Sequence, residues 1–273
     1  MFEFSLAAYL EVRCSPRFSH LGWEAIPVFL SKAMLAFELC VRRGGGVDSL
    51  ADLRGKRVGV PDVHMTAAVW LRIMLAELHG VAPADVAWVN GRPPSRRHSQ
   101  VLRAPDPPGV SVEELAPGES LQSLLEEGGI DAAFGDHAQA AVEESTSVCR
   151  LFEGDSAQRT LEKLMQRRRL TPVNHVVVVR GELLDGDAEL GTRLMRLFEA
   201  SKQAAYRGAR VDGGAGLRFD DEPVLWRSAV FGEDPYPSGV AANRPMLTAL
   251  FDQLAAEAQL AESRDLASLF LDV

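Results

Sequence analysis

Short β-branched runs alternate with longer apolar segments along the chain. Phe4 to Leu10 reads as the end of a strand entering a turn or helix, and Phe37 to Val41 as a strand that Arg42 to Gly46 breaks with a glycine run. Val47 to Leu53 makes a short helix capped by Asp48 or Ser49, and Lys56 to Val60 is the next strand, stopped by Pro61. From Met65 to His79 nearly every position is apolar, which predicts a helix covered on most sides and ended by Gly80. Asp85 to Val89 is a strand, Val110 to Leu115 a weaker one, Ser120 to Glu127 a helix, and Ile130 to Phe134 a buried strand followed by the turn Gly135-Asp136-His137. A helix near Ala138 to Glu144, an extended piece from Val148 to Phe152 and a charged helix from Ser156 to Arg169 come next. Val173 to Val179 is the most β-branched run and is expected to be a central strand buried on both faces. Asp187 to Tyr206 is a long amphipathic helix, and three further helices are expected at about 222–230, 245–259 and 263–269, with a proline-glycine loop at 231–244.

This alternation implies an α/β fold with parallel strand pairing. The strand at Val173 returns after a long excursion, so residues 1–61 with 173–273 are expected to form one lobe and 62–172 the second, with a ligand cleft between them.

The formal charge of -9 over 273 residues lacks the basic footprint that nucleic acid or an anionic membrane would need, and leaves small molecules as the expected partners. The arginines at 92, 96, 97 and 103, with His98, read as a solvated loop. Cys14, Cys40 and Cys149 show no CxxC spacing and are expected as reduced thiols. Glu3 sits where a secretory signal needs basic residues, and no run reaches membrane-spanning length, so a cytoplasmic chain is expected. Self-association is left open.

The chemistry on offer is sparse. HExxH, GxSxG, P-loop and GxGxxG patterns are all missing. The strand, turn and helix from Gly55 to Trp70 would aim the amides of Met65, Thr66 and Ala67 at an anion, with His64 at the lip; an ordinary strand-to-helix turn fits the same pattern. His64, His137 and His175 fall at strand ends, where imidazole suits proton transfer. No organic cofactor is called for, and no spacing demands a metal, although three histidines leave one open.

The run GKRVGVPDVHMTAAVWLR resembles the signature region of 4,5-dihydroxyphthalate decarboxylases, which have a two-lobed type 2 periplasmic-binding-protein-like fold. ESLQSLLEEGGIDAAF, TPVNHVVVVR, PYPSGVAANR and the early SLAAYL and IPVF pieces resemble the same family in order, so the likeness spans the chain. Family members carry a further strand and helix before Glu3, serines where this chain has Ala7 and Ala8, an Arg-His pair at Leu35 and Ala36, and an arginine in the turn that holds His137. The resemblance implies a decarboxylase of a hydroxylated aromatic acid, with His175 or His64 protonating the ring. It adds Ser5, Tyr9, His137 and Tyr236 to the amides of Met65 to Ala67 as substrate-binding groups. A non-catalytic binding protein for a small carboxylate, of the transporter-receptor or sensor kind, is the alternative reading. A degenerate paralogue is the third.

Overall fold

The computed structural model describes residues 1–32, 35–135, 145–211, 230, 232, 234 and 236–273. In chain order the elements begin with β1 (Phe2–Ser5), α1 (Leu6–Arg13), β2 (Trp23–Ile26), β3 (Cys40–Arg42), β4 (Arg57–Val60) and α2 (Thr66–His79). They continue with β5 (Ala87–Asn90), α3 (His98–Leu102), β6 (Ser111–Glu114), α4 (Leu121–Glu127), β7 (Ala132–Ala133) and β8 (Val148–Arg150). The last are α5 (Ser156–Arg168), β9 (His175–Arg180), α6 (Gly181–Asp185), α7 (Leu190–Val211) and α8 (Val240–Ala256).

Two compact units emerge. The first comprises Met1–Ala33, Gln158–Ala255 and Leu260–Val273; the second comprises Met34–Ala157 with Ala256–Gln259. These boundaries differ from the expected 1–61/62–172/173–273 division. The cause is pairing: β3 and β4 join the second unit's sheet, which carries residues 35–61 with them.

In the first unit β9 is central in a three-stranded sheet of order β1-β9-β2. The central position was legible in its valines, but both neighbours run antiparallel to it, against the parallel pairing expected. A continuous β-branched run reports burial on both faces and is silent about direction. Ile26, Val28, Val177 and Val179 form one face of this sheet and pack with Leu194, Met195 and Phe198 of α7. The chain's last residues add to the edge of β2, where the Leu271 amide donates to the Ala25 carbonyl at 2.9 Å.

The second unit holds a six-stranded sheet of order β6-β5-β4-β7-β3-β8. Here the pairs β4–β5, β5–β6 and β4–β7 are parallel, as the alternation predicted, while β3 is antiparallel to both β7 and β8. Helix α2 is buried without interruption from Thr66 to Leu75, Arg72 included, as its nearly all-apolar run predicted, and Gly80 ends it in the left-handed conformation at φ 64°. Gly59, in the middle of β4, has no room for a side chain: a Cβ there would lie 2.6 Å from Leu121 Cδ2.

Several expectations shift in detail. Residues 35–38 form a 3-10 turn, so β3 starts only at Cys40. The loop after β5 contains a 3-10 turn at Pro94–Arg96 and then α3. Helix α8 begins at Val240 and takes Pro245 inside it, while the Asn243 side chain donates to the carbonyls of Pro237 and Gly239 at 2.6 and 2.8 Å. The expected helix at 263–269 reduces to a 3-10 turn, Ala267–Leu269. The expected helix near 138–144, His137 itself and nearly all of the one at 222–230 lie outside the described residues. All three cysteines are free thiols. Among the described residues, no helix is long and apolar enough to cross a membrane.

The Ala256–Gln259 segment is held to its unit by a buried ion pair. Arg72 Nε and Nη2 reach Glu257 at 2.6 and 2.7 Å, and the two side chains are 1% and 5% exposed. Arg72→Leu leaves that carboxylate buried without its cation, which is expected to cost about 3–5 kcal/mol. The urea midpoint of the second unit should fall accordingly, and pairing the change with Glu257→Leu should recover most of the loss.

Candidate functional site

Beyond Val60 the chain turns through Pro61 into α2, and a carboxylate occupies the turn. Asp62 is fully buried; its Oδ1 accepts from the His64 amide at 3.0 Å and its Oδ2 from the His98 amide at 2.6 Å. The turn therefore attracts negative charge, as a helix start should, and the protein's own aspartate answers part of that demand. Of the three amides expected to hold a ligand, that of Met65 donates to the Asp62 carbonyl at 3.1 Å. The side chains of Thr66 and Ala67 are buried.

A polar network surrounds this turn. The Val63 amide donates to Asn90 Oδ1 at 3.0 Å, and the Val63 carbonyl accepts from Arg72 Nη1 at 2.8 Å. Asn90 Nδ2 continues to Glu114 Oε1 at 3.1 Å, and Glu114 pairs with Arg97. Arg97 is 4% exposed, so the arginine-rich loop is not the uniformly solvated segment expected from its composition. The partner of Arg97 is the exposed Glu114 carboxylate, which also accepts from the buried Asn90 carboxamide.

His64 is 2% exposed, and its Nε2 makes no hydrogen bond; Asp106 Oδ1 stands 4.0 Å away. Burial, reinforced by the Arg72 guanidinium, holds the imidazole below its ordinary value of 6.5 against the opposing pull of Asp62, Gln259 and Asp106. The ring is thus a neutral base close to neutrality.

In the first unit, His175 stands opposite Ser5 in the β1–β9 register. Its Nδ1 lies 2.9 Å from Glu3 Oε1, with both side chains nearly half exposed. Ser5 caps α1 by accepting from the Ala8 amide at 3.4 Å. Tyr9 is wholly buried: its hydroxyl donates to the Leu269 carbonyl and accepts from the Ala25 amide at 2.9 Å, which makes it a tie between main-chain segments. Burial pushes its phenol well above the ordinary tyrosine range.

Tyr236 belongs to a second polar cluster, one member of which the sequence did not single out. Lys32 is 1% exposed; its ammonium donates to Thr171 Oγ1 at 3.1 Å and lies 5.4 Å from the centre of the Tyr236 ring. Burial, with Lys202 nearby and only partly offset by Asp234, lowers its pKa to about 7. Behind Tyr236, Asp234 accepts from Lys202 Nζ at 2.7 Å and from the Tyr206 hydroxyl at 2.8 Å. The signal for Lys32 was its position as the one charged residue in the apolar run from Ile26 to Leu35. Among the described residues no group of three His, Cys, Asp or Glu side chains converges as a metal site would.

No family model matches the chain. It is 33% identical over 224 residues to a 4,5-dihydroxyphthalate decarboxylase from Comamonas testosteroni, covering 80% of this chain and 67% of that protein. The chain belongs to the 4,5-dihydroxyphthalate decarboxylase family. A second family member, from Pseudomonas putida, is 40% identical over 116 residues, a match spanning 42% of this chain and 44% of that protein. Among solved structures, the periplasmic aliphatic sulphonate binding protein SsuA from Escherichia coli superposes with a TM-score of 0.55 at 12% identity, covering 98% of this chain and 78% of that one. The alkanesulfonate-binding protein SsuA from Xanthomonas axonopodis pv. citri, bound to MOPS, gives 0.53 at 14% identity, covering 98% and 79%. This family member therefore has the mixed α/β, type 2 periplasmic-binding-protein fold.

The two displaced bases set opposite ends of a pH experiment. A base held below its unfolded pKa contributes stability fully above that value and loses it as pH falls through it. For His64 the loss begins near 6.5, so stability to urea should drop on acidification below that point, and His64→Gln should flatten the drop. For Lys32 the window runs from 10.5 down to about 7. Lys32→Met should raise the melting temperature at pH 7, with the gain shrinking toward pH 10.

Proposed function

We propose that the protein decarboxylates a hydroxylated aromatic carboxylic acid of the 4,5-dihydroxyphthalate type, giving protocatechuate and CO2. The observation that carries this reading is the 33% identity over 224 residues to a decarboxylase of that name. The chemistry runs on the substrate's own electrons. A hydroxyl para to the departing carboxylate pushes electron density into the ring, and a general acid delivers a proton to the carbon that bears the carboxylate. The carbon–carboxylate bond then breaks, CO2 leaves, and the bonding pair returns to the ring.

His175 is the acid in this reading. Its Nδ1 faces the Glu3 carboxylate at 2.9 Å, an arrangement that makes Nδ1 the donor to Glu3 and leaves Nε2 to carry the transferable proton. His64, neutral through burial, is the second proton-handling group. The amides of Thr66 and Ala67, with Ser5, Tyr236 and His137, complete the proposed ligand contacts. Tyr9 contributes by holding β2 and the C-terminal strand segment rather than by touching ligand.

The fold neighbours support a second reading, a binding protein without turnover, because both are named for binding sulfonates. CO2 release from 4,5-dihydroxyphthalate, with and without a chelator, separates the two. The decarboxylase reading expects CO2 in stoichiometric yield with protocatechuate; a ligand that raises the melting temperature while no hydroxyaromatic acid yields CO2 would leave only the binding protein. His175→Ala should abolish turnover and leave ligand affinity within about tenfold, about 1.4 kcal/mol. Persisting turnover would move the acid elsewhere.

A further inference from the structure

Lys32 is a buried cation that the proposed proton transfer does not use. It is 1% exposed and lies in the first unit, at the end of the strip 27–32 that follows β2. That strip is laced to the segments carrying two of the proposed ligand contacts. The Val28 carbonyl accepts from the Val177 amide at 3.2 Å, the Ser31 carbonyl from the Asn174 amide at 2.9 Å, and the Pro27 carbonyl from the Gly239 amide at 2.8 Å. Asn174 immediately precedes His175, and Gly239 closely follows Tyr236. Held there, the Lys32 ammonium donates to Thr171 Oγ1 at 3.1 Å and stands 5.4 Å from the centre of the Tyr236 ring.

The main chain of Tyr236 is fixed by other groups. Its amide donates to Asp234 Oδ1 at 2.9 Å and to the Tyr206 hydroxyl at 3.1 Å, and its carbonyl accepts from Lys202 Nζ at 3.0 Å. Lys202 also pairs with Asp234 and Glu199 at 2.7 and 2.8 Å, so α7 anchors this backbone. None of these bonds sets the half-buried ring, whose side-chain torsions remain free of them. The contact with Lys32 acts on the ring itself.

A buried ammonium is expensive. Burial lowers the pKa of this amine to about 7, with Asp234 pulling upward and Lys202 downward. A methionine of similar length would fill the space without that cost. What Lys32 adds is charge, and the ring of a proposed ligand contact receives it.

Resting on the reading that Tyr236 touches the ligand, we infer that Lys32 is a positioning residue, whose ammonium holds the Tyr236 ring in place for an aromatic acid through the cation–π contact. A ring ordered beforehand loses no rotamer freedom when the ligand arrives, so the contribution appears as affinity.

The test is binding, which does not depend on turnover. The probe is benzene-1,2-dicarboxylate, which stays almost fully ionised between pH 6.5 and pH 9 and has no phenol to titrate. It is titrated calorimetrically into the full chain and into Lys32→Met, Tyr236→Leu and the double variant at both pH values, with melting temperatures as a folding control. At pH 6.5 Lys32→Met is expected to bind fivefold or more weakly than the parent, although it should melt above it. At pH 9, where the parent's amine has lost its proton, the two should agree within twofold. Because Lys32 acts through the ring, the double variant should bind within twofold of Tyr236→Leu. As a second variant, Lys32→Arg keeps a cation at both pH values and should bind more tightly than the parent at pH 9. Parent-like affinity in Lys32→Met, an equal loss at both pH values, losses that add in full, or a Lys32→Arg affinity that falls with the parent's would overturn the inference. No binding by the parent would overturn it together with the reading beneath it. Lys32-dependent binding without CO2 release from 4,5-dihydroxyphthalate would remove the decarboxylase reading and leave the positioning role standing.

Discussion

A carboxylate shut away from water, Asp62, is the constraint on which the second unit's polar interior depends. A carboxyl group at full burial is tolerated only when its lone pairs are satisfied, and here a local amide, that of His64, and a distant one, that of His98, do this. In doing so they fix the turn between β4 and α2 and the start of α3 together. Val63, one residue on, is gripped from both sides by Asn90 and Arg72, and Arg72 in turn needs Glu257. Each buried polar group is the condition for the next, which gives such a network its rigidity and makes removal of any one member costly. The same withdrawal from water keeps the adjacent His64 ring neutral.

The elements around this turn were readable from the sequence because local chemistry sets them. A proline after a short strand run, a nearly all-apolar stretch and a terminal glycine specify β4 and α2 with little outside help, and Ser49, one of the two expected caps, precedes the 3-10 turn Leu50–Leu53. Strand direction was not readable, since alternating strands and helices favour parallel pairing on average and carry no mark for the antiparallel β1, β2, β3 and β8.

Buried charge was the hardest feature to foresee. Arg72 and Glu257 are 185 positions apart, and each alone looks like a solvent-facing residue on a helix or turn. Arg97 looked like one arginine among several, and nothing local separated it from Arg92 or Arg96. Lys32 was visible as an odd charge in an apolar run, yet only tertiary packing lowers its pKa to about 7. Tyr9 shows the converse: the family resemblance drew it toward the ligand, while its two main-chain bonds give it a full structural occupation. Among the described residues, each unit thus holds a basic group whose pKa burial lowers, an imidazole in one and an amine in the other. Such displacement is common where protons are handled and is also produced by packing alone.

The four residues at Ala256–Gln259 have a consequence for how the protein is made. They belong to the unit that otherwise ends at Ala157, and they bring the carboxylate for Arg72 from 185 positions further along the chain. During synthesis the sheet from β3 to β8 leaves the ribosome long before that carboxylate does. Until position 257 has emerged, the nascent unit lacks the carboxylate that partners Arg72. The unit is therefore completed by a contact of long sequence separation, and the interval before Glu257 arrives is when holding by a chaperone matters most.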